Sequence, residues 1–129
     1  MIPKDFKTEL THKEKMIPKI NIGTDIVEVN RFEKKPIEKN ISFYNSIFSH
    51  SELEHCKKFS NPYPHLAGIF AAKEATIKCL DKPISMSQMY TFWDENGKPY
   101  INVNKEQISV NITISHTQTL AIAVAVRII

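Results

Sequence analysis

One predicted helix brings three charged side chains close together. Residues 66–80 have helical periodicity, and Lys73 falls in the middle of their apolar stripe. A lysine in such a stripe is usually paired with an acid or extends to water, and sometimes it serves a ligand. Glu74 and Lys78, four residues apart, share a neighbouring face of the helix. Their spacing is also that of an ordinary exposed ion pair, so both interpretations stay open.

Two further candidates lie in predicted strands. Asp25 interrupts residues 22–27, which otherwise suit burial, and a carboxylate is rarely buried unless it is paired or holds a metal. The alternative is that Asp25 caps the helix that begins near Arg31. His116 projects from the end of an alternating strand, where an ordinary polar loop residue is the alternative. None of the 5 histidines has a partner at a spacing diagnostic of zinc.

The composition narrows the class of protein. With 129 residues, 42% hydrophobic and 24% charged, the chain has the size and balance of one globular domain. A net charge of +3 suits an acidic partner or a phosphorylated ligand but is too small to indicate nucleic acid. Cys56 and Cys79 cannot build a disulfide framework, and the apolar run 120–126 is too short for a membrane span. We therefore expect a cytoplasmic protein without a signal peptide.

The elements that must position these residues follow from hydrophobic periodicity. The chain from residue 20 predicts a strand with Ile20, Ile22 and Ile26 on one face and Asp25 on the other. Residues 31–58 are predicted to be helical, with a break before the proline at position 36 and a capping box within residues 51–54. The box pairs Ser51 with Glu54. The clearest helix, residues 66–80, follows.

The C-terminal part has the patterns of β structure. Residues 90–93 and 99–103 flank an Asn96–Gly97 turn, which is typical of a hairpin. Residues 108–115 alternate as a half-buried strand, and 120–126, with no alternation, predict a central strand covered on both faces. Helices followed by antiparallel strands predict an α+β domain with helices packed on an antiparallel sheet. We expect that domain to span residues 20–129, after an N-terminal extension of residues 1–19.

Three segments taken together resemble the signature blocks of the holo-acyl-carrier-protein synthases, a family of 4′-phosphopantetheinyl transferases. They are IGTDIVEV at residues 22–29, FAAKEA at 70–75 with the trailing Lys78, and ISHT at 114–117. The blocks occur in the family's order, and the resemblance covers about residues 20–129. FAAKEA with its lysine is the most specific block. The family moves the phosphopantetheine arm of coenzyme A to a serine of an acyl carrier protein.

The resemblance implies a role for each candidate residue. Asp25 and Glu74 would hold Mg²⁺, an ion that favours a few carboxylates with water and phosphate oxygens. Lys78 would contact a phosphate oxygen of coenzyme A, and Lys73 would do the same or orient Glu74. His116 would lie near the phosphates as a contact or as the base for the serine proton. Glu74 or a water molecule on the metal could equally be the base.

The resemblance also implies partners. Acyl carrier proteins are acidic, and Arg31 with three nearby lysines follows the first strand, where the family has its carrier-binding helix. Arg31 matches the family motif best and is the expected carrier contact; the lysines are Lys34, Lys35 and Lys39. The family is a small α+β domain that forms a homotrimer and serves fatty acid biosynthesis. Neither nucleic acid nor a membrane is an expected partner.

Two departures from the family pattern leave an alternative open. Ile69 stands where an arginine usually precedes FAAKEA, and residues 80–85 lack the usual glycine-rich loop. Both changes bear on the nucleotide end of coenzyme A, and Lys82 could replace the lost charge. The alternative function is a non-catalytic carrier-binding module that has lost affinity for coenzyme A. A nucleic-acid-binding domain ranks last, because acidic residues interrupt the best basic patch.

Overall fold

The computed structural model describes residues 19–104 and 106–129. The expected N-terminal extension lies outside the described residues, apart from Lys19, whose carbonyl oxygen accepts a hydrogen bond from the Ile129 amide at 2.8 Å. In this described part of the chain, no helix is long and apolar enough to cross a membrane. The elements in chain order are β1 (Ile20–Glu28), α1 (Asn30–Glu33), a 3₁₀ turn (Ile37–Lys39), α2 (Ile41–Ile47), α3 (His50–Lys57), α4 (Tyr63–Ile77), a second 3₁₀ turn (Met86–Gln88), β2 (Met89–Trp93), β3 (Pro99–Val103), β4 (Ile108–His116) and β5 (Leu120–Ile128).

Five strands form one sheet in the order β1-β5-β4-β3-β2, with every neighbouring pair antiparallel. The expected hairpin joins β2 to β3. Gly97 takes a φ of +80°, which residues with a side chain rarely adopt, and Asp94 Oδ1 accepts hydrogen bonds from the amides of Asn96 and Lys98. Since α4 packs across β1, β5 and β4, the predicted α+β domain with helices on an antiparallel sheet is confirmed.

Small residues let α4 approach the sheet closely. A methyl group added at Gly68 would lie 2.7 Å from Cγ2 of Ile114 in β4. Near the other end of the helix, a methyl group at Gly23 of β1 would overlap the carbonyl oxygen of Ala75. The helix therefore begins over β4 and ends against β1. Between these points the buried residues of β5 are alanines, at positions 121, 123 and 125.

The opposite face of the sheet is apolar and exposed at β1 and β5. The predicted alternation of β1 is confirmed, and its isoleucines point outward: Ile22 is 67% exposed and Ile26 62%. Residues 120–126 do form a central strand, since β5 lies between β1 and β4. The expectation that both faces of β5 are covered is wrong within one chain, because Ile122 is 43% exposed. In β5, alanines alternate with larger apolar residues. A pattern that only separates apolar from polar residues therefore shows no alternation in this strand.

The helical region divides as expected and differs at its boundaries. The break before Pro36 is confirmed, because α1 ends at Glu33 and a 3₁₀ turn follows the proline. The clearest helix runs over Tyr63–Ile77 instead of 66–80. Its first turn accommodates Pro64, whose missing amide proton has no partner there in any case, and Lys78 already forms its C-cap. The whole helix is thus three residues nearer the N-terminus.

The capping box of α3 lies two residues before the predicted one. Ser49 has extended backbone (ψ 164°), its Oγ accepts from the Glu52 amide, and Glu52 Oε1 accepts from the Ser49 amide at 2.8 Å. The prediction of Ser51 and Glu54 is therefore wrong. Both pairs have the required spacing, and only the first lies where the chain turns from extended to helical.

An aromatic cluster holds α1 and α2 against α4. The ring of Phe32 lies 5.4 Å from that of Phe70 and 6.1 Å from that of Phe48. The Tyr44 hydroxyl is within hydrogen-bond distance of the carbonyl oxygens of Phe32 (3.1 Å) and Lys35 (2.7 Å), and burial raises the pKa of Tyr44. The cluster fixes α1, which follows β1, relative to the helix that carries Glu74.

Candidate active site

Asp25 lies at the junction of β1 and α4. It shares the face of β1 that packs against α4, and its side chain is 23% exposed. Lys78, the C-cap of α4, donates from Nζ to the carbonyl oxygen of Thr24 at 2.6 Å and lies 3.9 Å from Asp25 Oδ1. No side chain caps α1, whose N-cap is Val29, so the alternative role of Asp25 as a helix cap is wrong.

Glu74 lies on α4 one turn before Lys78 and on the same flank of the helix. Its side chain is half-buried. Within residues 19–104 and 106–129, Lys78 forms its ion pair with Asp25 and none with Glu74, so the ordinary pair that the spacing suggested is not formed. Asp25 and Lys78 therefore meet at the β1–α4 junction, and Glu74 lies one turn from Lys78 on the helix that forms it. The three residues come from two of the three sequence blocks.

Lys73 has a different place from the one expected. Its side chain is 0% exposed and its Nζ lies 2.7 Å from Glu52 Oε1, which is buried as well. The ammonium also donates to the carbonyl oxygen of Ile47 at 2.6 Å. Lys73 thus pairs with an acid in the core, as lysines in apolar stripes usually do, and it is not placed to contact a phosphate or Glu74.

The residues at the junction suit Mg²⁺. Both carboxylates are hard oxygen donors, and Mg²⁺ typically takes one or two carboxylates and completes its coordination with water and phosphate oxygens. In the described residues no group of three or more His, Cys, Asp or Glu could hold a metal ion, so no complete protein cage is formed. The donor chemistry of Asp25 and Glu74 is of the kind that Mg²⁺ accepts, with its other positions left to water and phosphate oxygens.

His116 lies at the end of β4, beside a cleft of about 230 Å³. Its exposed ring packs edge-on against His65, with the ring centroids 4.7 Å apart. Ile69, the residue at the family's arginine position, is 2% exposed and lines this cleft. The full lining is His55, His65, Ile69, Trp93, Gly97, Pro99, Ile114 and His116.

Stacked rings form the wall of the cleft. His55 stacks on Trp93 with centroids 3.9 Å apart, and His65 stacks on Phe59 at 3.6 Å. Burial lowers the pKa of both histidines; Lys58 adds to the effect at His55, and His116 and His55 add to it at His65. The cleft therefore combines flat apolar rings with groups that become cationic in acid.

Sequence reasoning did not identify the cleft. Its rings come from α3, α4, the β2–β3 hairpin and β4, so no local spacing relates them. The one available signal was Trp93, an aromatic residue just before the hairpin turn, and this position alone does not indicate a ligand. The stack is a product of tertiary structure.

Three of the four residues expected to form a cationic face lie together on the surface. Arg31, Lys34 and Lys35 line one surface groove of about 560 Å³ beside the end of β1, and Lys39 lies in a separate depression. The Arg31 guanidinium lies 4.7 Å from the centroid of the Phe70 ring. Lys82, the expected substitute for the missing charge, forms an ion pair with Glu106 at 3.0 Å. Arg31 is thus held beside α4, whereas Lys82 has a partner elsewhere.

Comparison with known proteins gives consistent results. Residues 21–125 match the family model described as the 4′-phosphopantetheinyl transferase superfamily. A holo-[acyl-carrier-protein] synthase of Caldanaerobacter subterraneus is 38% identical over 121 residues, 84% of this chain and 94% of the relative. One from Fusobacterium nucleatum is 37% identical over 120 residues, 83% of this chain and 97% of the relative.

Solved structures agree in fold. The holo-(acyl-carrier-protein) synthase of Bacillus anthracis, in complex with CoA (3′,5′-ADP), has a TM-score of 0.72 and 30% identity over 87% of this chain and 98% of that one. The Helicobacter pylori enzyme in complex with coenzyme A has a TM-score of 0.71 and 33% identity over 84% of this chain and 99% of that one. The chain therefore belongs to the 4′-phosphopantetheinyl transferase superfamily, in its holo-acyl-carrier-protein synthase family.

Proposed function

We propose that this enzyme transfers 4′-phosphopantetheine from coenzyme A to a serine hydroxyl of an apo acyl carrier protein. The serine oxygen attacks the phosphorus that carries the pantetheine arm, the bond to the bridging pyrophosphate oxygen breaks, and adenosine 3′,5′-bisphosphate leaves. The serine proton passes to a nearby base, for which Glu74 and His116 are the candidates. The observation that supports this most strongly is the meeting of Asp25 and Lys78 where β1 contacts α4, with Glu74 one turn away on the same flank of α4.

Dependence on Mg²⁺ is part of the proposal. Asp25, on β1, and Glu74, on α4, would hold the ion. When bound, the ion offsets the negative charge of the pyrophosphate. Lys78 supports the same task. One ammonium proton is donated to the Thr24 carbonyl oxygen at 2.6 Å, while the ion pair with Asp25 is long and the side chain is 54% exposed. The ammonium group can therefore also donate to a phosphate oxygen of the substrate.

The cleft beside His116 is the proposed site for the nucleotide end of coenzyme A. Flat rings such as Trp93 offer a stacking surface for a purine. His116 and His65 offer nitrogen donors for phosphate oxygens. The Bacillus anthracis and Helicobacter pylori relatives are described in complex with coenzyme A, which supports this ligand class. Ile69 makes the cleft more apolar than the family pattern.

The acyl carrier protein would dock at the groove beside β1. Arg31, Lys34 and Lys35 give this groove a positive charge, which attracts an acidic partner and raises the encounter rate. The groove begins at the end of the strand that carries Asp25, so a serine delivered there arrives near the junction. Arg31 is the proposed main contact.

Self-association as a homotrimer also belongs to the proposal. The exposed isoleucines of β1 and β5 form an apolar face that only Thr24 interrupts within β1 between Ile20 and Ile26, and apolar faces of this kind usually mark an interface. A second copy of the chain would bury them. The buried free thiols of Cys56 and Cys79 suit a reducing, cytoplasmic location, where fatty acid biosynthesis would use the product.

The proposal is tested by incubating the protein with coenzyme A, Mg²⁺ and an apo acyl carrier protein. The carrier should gain the mass of phosphopantetheine, and EDTA in place of Mg²⁺ should prevent the gain. Transfer that continues unchanged in EDTA would contradict the metal assignment. No transfer, together with carrier binding and no heat of coenzyme A binding in calorimetry, would instead indicate the non-catalytic module.

A further inference from the structure

The buried ion pair of Lys73 and Glu52 joins α4 to three neighbouring elements. An ammonium group has three protons, and Lys73 Nζ has three acceptors: Glu52 Oε1 at 2.7 Å, the Ile47 carbonyl oxygen at 2.6 Å and the Met86 carbonyl oxygen at 3.3 Å. These acceptors belong to α3, to the end of α2 and to the 3₁₀ turn before β2. Each proton of Lys73 is therefore bound by a different element.

Both oxygen atoms of the Glu52 carboxylate also accept hydrogen bonds. Oε1 also accepts from the amide of Ser49, the N-cap of α3, and Oε2 accepts from the Thr91 amide at 2.7 Å. Thr91 lies in β2, one of the two edge strands of the sheet, so this bond satisfies an amide that no neighbouring strand can reach. Both side chains of the pair are 0% exposed, and burial lowers the pKa of Lys73 while Glu52 opposes that effect.

A buried ion pair of this kind usually adds little net free energy of unfolding. Apolar residues of similar volume can often replace such a pair without loss of stability, because the cost of removing two charges from water is about as large as the free energy of their attraction. Apolar residues cannot, however, hold the four backbone groups that this pair binds, at Ile47, Ser49, Met86 and Thr91. The pair therefore does more to fix the relative placement of the elements than to hold the protein folded.

Lys73 connects the placement of these elements to the candidate active site, because it lies next to Glu74 in the sequence. Lys73 directly precedes Glu74, and successive residues of a helix leave it about 100° apart. A fixed direction for Lys73 therefore fixes the direction in which Glu74 leaves α4. Since Ile47 ends α2, the same pair also connects the helical segment that follows Arg31 to α4.

We propose that Glu52 and Lys73 are positioning residues for phosphopantetheine transfer. Together they fix the rotation of α4 and so hold Glu74 toward Asp25 at the β1–α4 junction. This inference rests on the proposed function of the junction. It gives Lys73 a role through Glu52 and the backbone, without any contact with the substrate.

The test compares two double variants in steady-state transfer. Glu52→Gln with Lys73→Met removes both buried charges while keeping similar shapes. Its kcat should fall about tenfold, because small misplacements of a reacting group cost one to two orders of magnitude, and its KM for coenzyme A should stay within about twofold. Glu54→Gln with Lys57→Met is the matched control, since that exposed pair (3.9 Å) also lies on α3. The control should keep the wild-type kcat.

Lys73→Arg is the second variant. It tests the positioning role if the double variant is not folded, as shown by the loss of a cooperative unfolding transition. Arginine keeps the charge, but its planar guanidinium cannot serve three converging acceptors in the same way, so the same loss of kcat is expected. A folded variant of either kind with wild-type kcat would overturn the proposal. So would failure of both variants to fold, because the pair would then be needed for folding itself. An inactive wild-type protein would identify failure of the proposed function instead.

Discussion

Lys78 shows how a single residue connects the fold to the proposed chemistry. Its stem packs where β1 meets α4, and its ammonium binds the Thr24 carbonyl oxygen and faces Asp25. A half-exposed pair at 3.9 Å contributes only about 0.2–1 kcal/mol. The spacing of Glu74 and Lys78 was readable from the sequence, but the true partner of Lys78 was not, because Asp25 is far away along the chain.

Arg31 is predicted to act on the carrier protein alone. In Arg31→Ala, the KM for the acyl carrier protein should rise about tenfold, because a cation at the rim of an interface mainly steers an acidic partner. The KM for coenzyme A should not change. Both constants can be measured from initial rates at two salt concentrations, and the salt dependence should be shallower in the variant.

Lys39→Ala is the matched control for Arg31, because Lys39 lies in a separate depression. It should leave both KM values at the wild-type level. Equal increases in both KM values for Arg31→Ala would contradict the docking assignment, since they would indicate a damaged active site.

His65 is predicted to make stability depend on pH. Burial lowers its pKa from the ordinary 6.5, so below pH 6.5 the unfolded chain takes up the proton before the folded protein does. The stability that neutral His65 contributes is therefore lost as the pH falls from 6.5 through the folded-state pKa. His65→Phe keeps the stack on Phe59 and cannot titrate. Its melting temperature should fall less between pH 7.5 and pH 5 than that of the wild type.

His50→Gln provides the comparison, because His50 is exposed at the start of α3. Its melting temperature should follow the wild type across this range. An equal decrease for His65→Phe and the wild type would show that His65 does not contribute to the pH dependence.

Among the helices and strands, the hydrophobic and turn patterns of the sequence predicted most of the elements, but not the features that depend on how these elements pack. The alternation of β1, the hairpin at Gly97 and the break before Pro36 are local signals, and all three are confirmed. The alternation of β1 did not show which face is covered. The covered face carries Asn21, Gly23 and Asp25 because close packing against α4 needs small residues, and the isoleucines point outward.

Gly23 is predicted to be the residue that sets the distance between β1 and α4. In Gly23→Ala the new methyl group would overlap the Ala75 carbonyl oxygen and lie 3.0 Å from Lys78 Cβ, so the backbone of one element must move. We expect a loss of about 2–3 kcal/mol in the free energy of unfolding. Transfer should fall as well, because Asp25 and Glu74 move apart. Urea unfolding and the transfer assay measure the two effects.

Gly68→Ala is the control within the same helix–sheet contact. Its methyl group would meet only Cγ2 of Ile114, a side-chain atom that can shift, so the loss should be smaller. A Gly23→Ala protein as stable and as active as Gly68→Ala would contradict the role assigned to this contact.

At the scale of the whole molecule, the apolar outer face of the sheet is the feature that one chain leaves unexplained. We predict that the wild-type protein is a trimer in solution and that Ile22→Lys is a monomer, because a charge in the centre of an apolar interface is costly to bury. Ile22 is 67% exposed in the single chain, so the substitution should not harm the fold. Light scattering after size-exclusion chromatography measures the mass directly.

Ile41→Lys is the matched control for Ile22, since Ile41 is 60% exposed but lies on α2. It should leave the trimer intact. A wild-type protein that is monomeric at micromolar concentration would refute the proposed assembly. The sequence contained the outer isoleucines but could not show that they are exposed, because that depends on where α4 packs.

Asp25 and Glu74 are proposed to act together on the pyrophosphate of coenzyme A. This is tested by the mass of an acyl carrier protein treated with the wild type or with Glu74→Gln. With coenzyme A and Mg²⁺, the wild type should add phosphopantetheine to the carrier. Glu74→Gln should be slower by at least about a hundredfold and should keep the wild-type melting temperature. Transfer by Glu74→Gln at the wild-type rate would contradict the role assigned to Glu74.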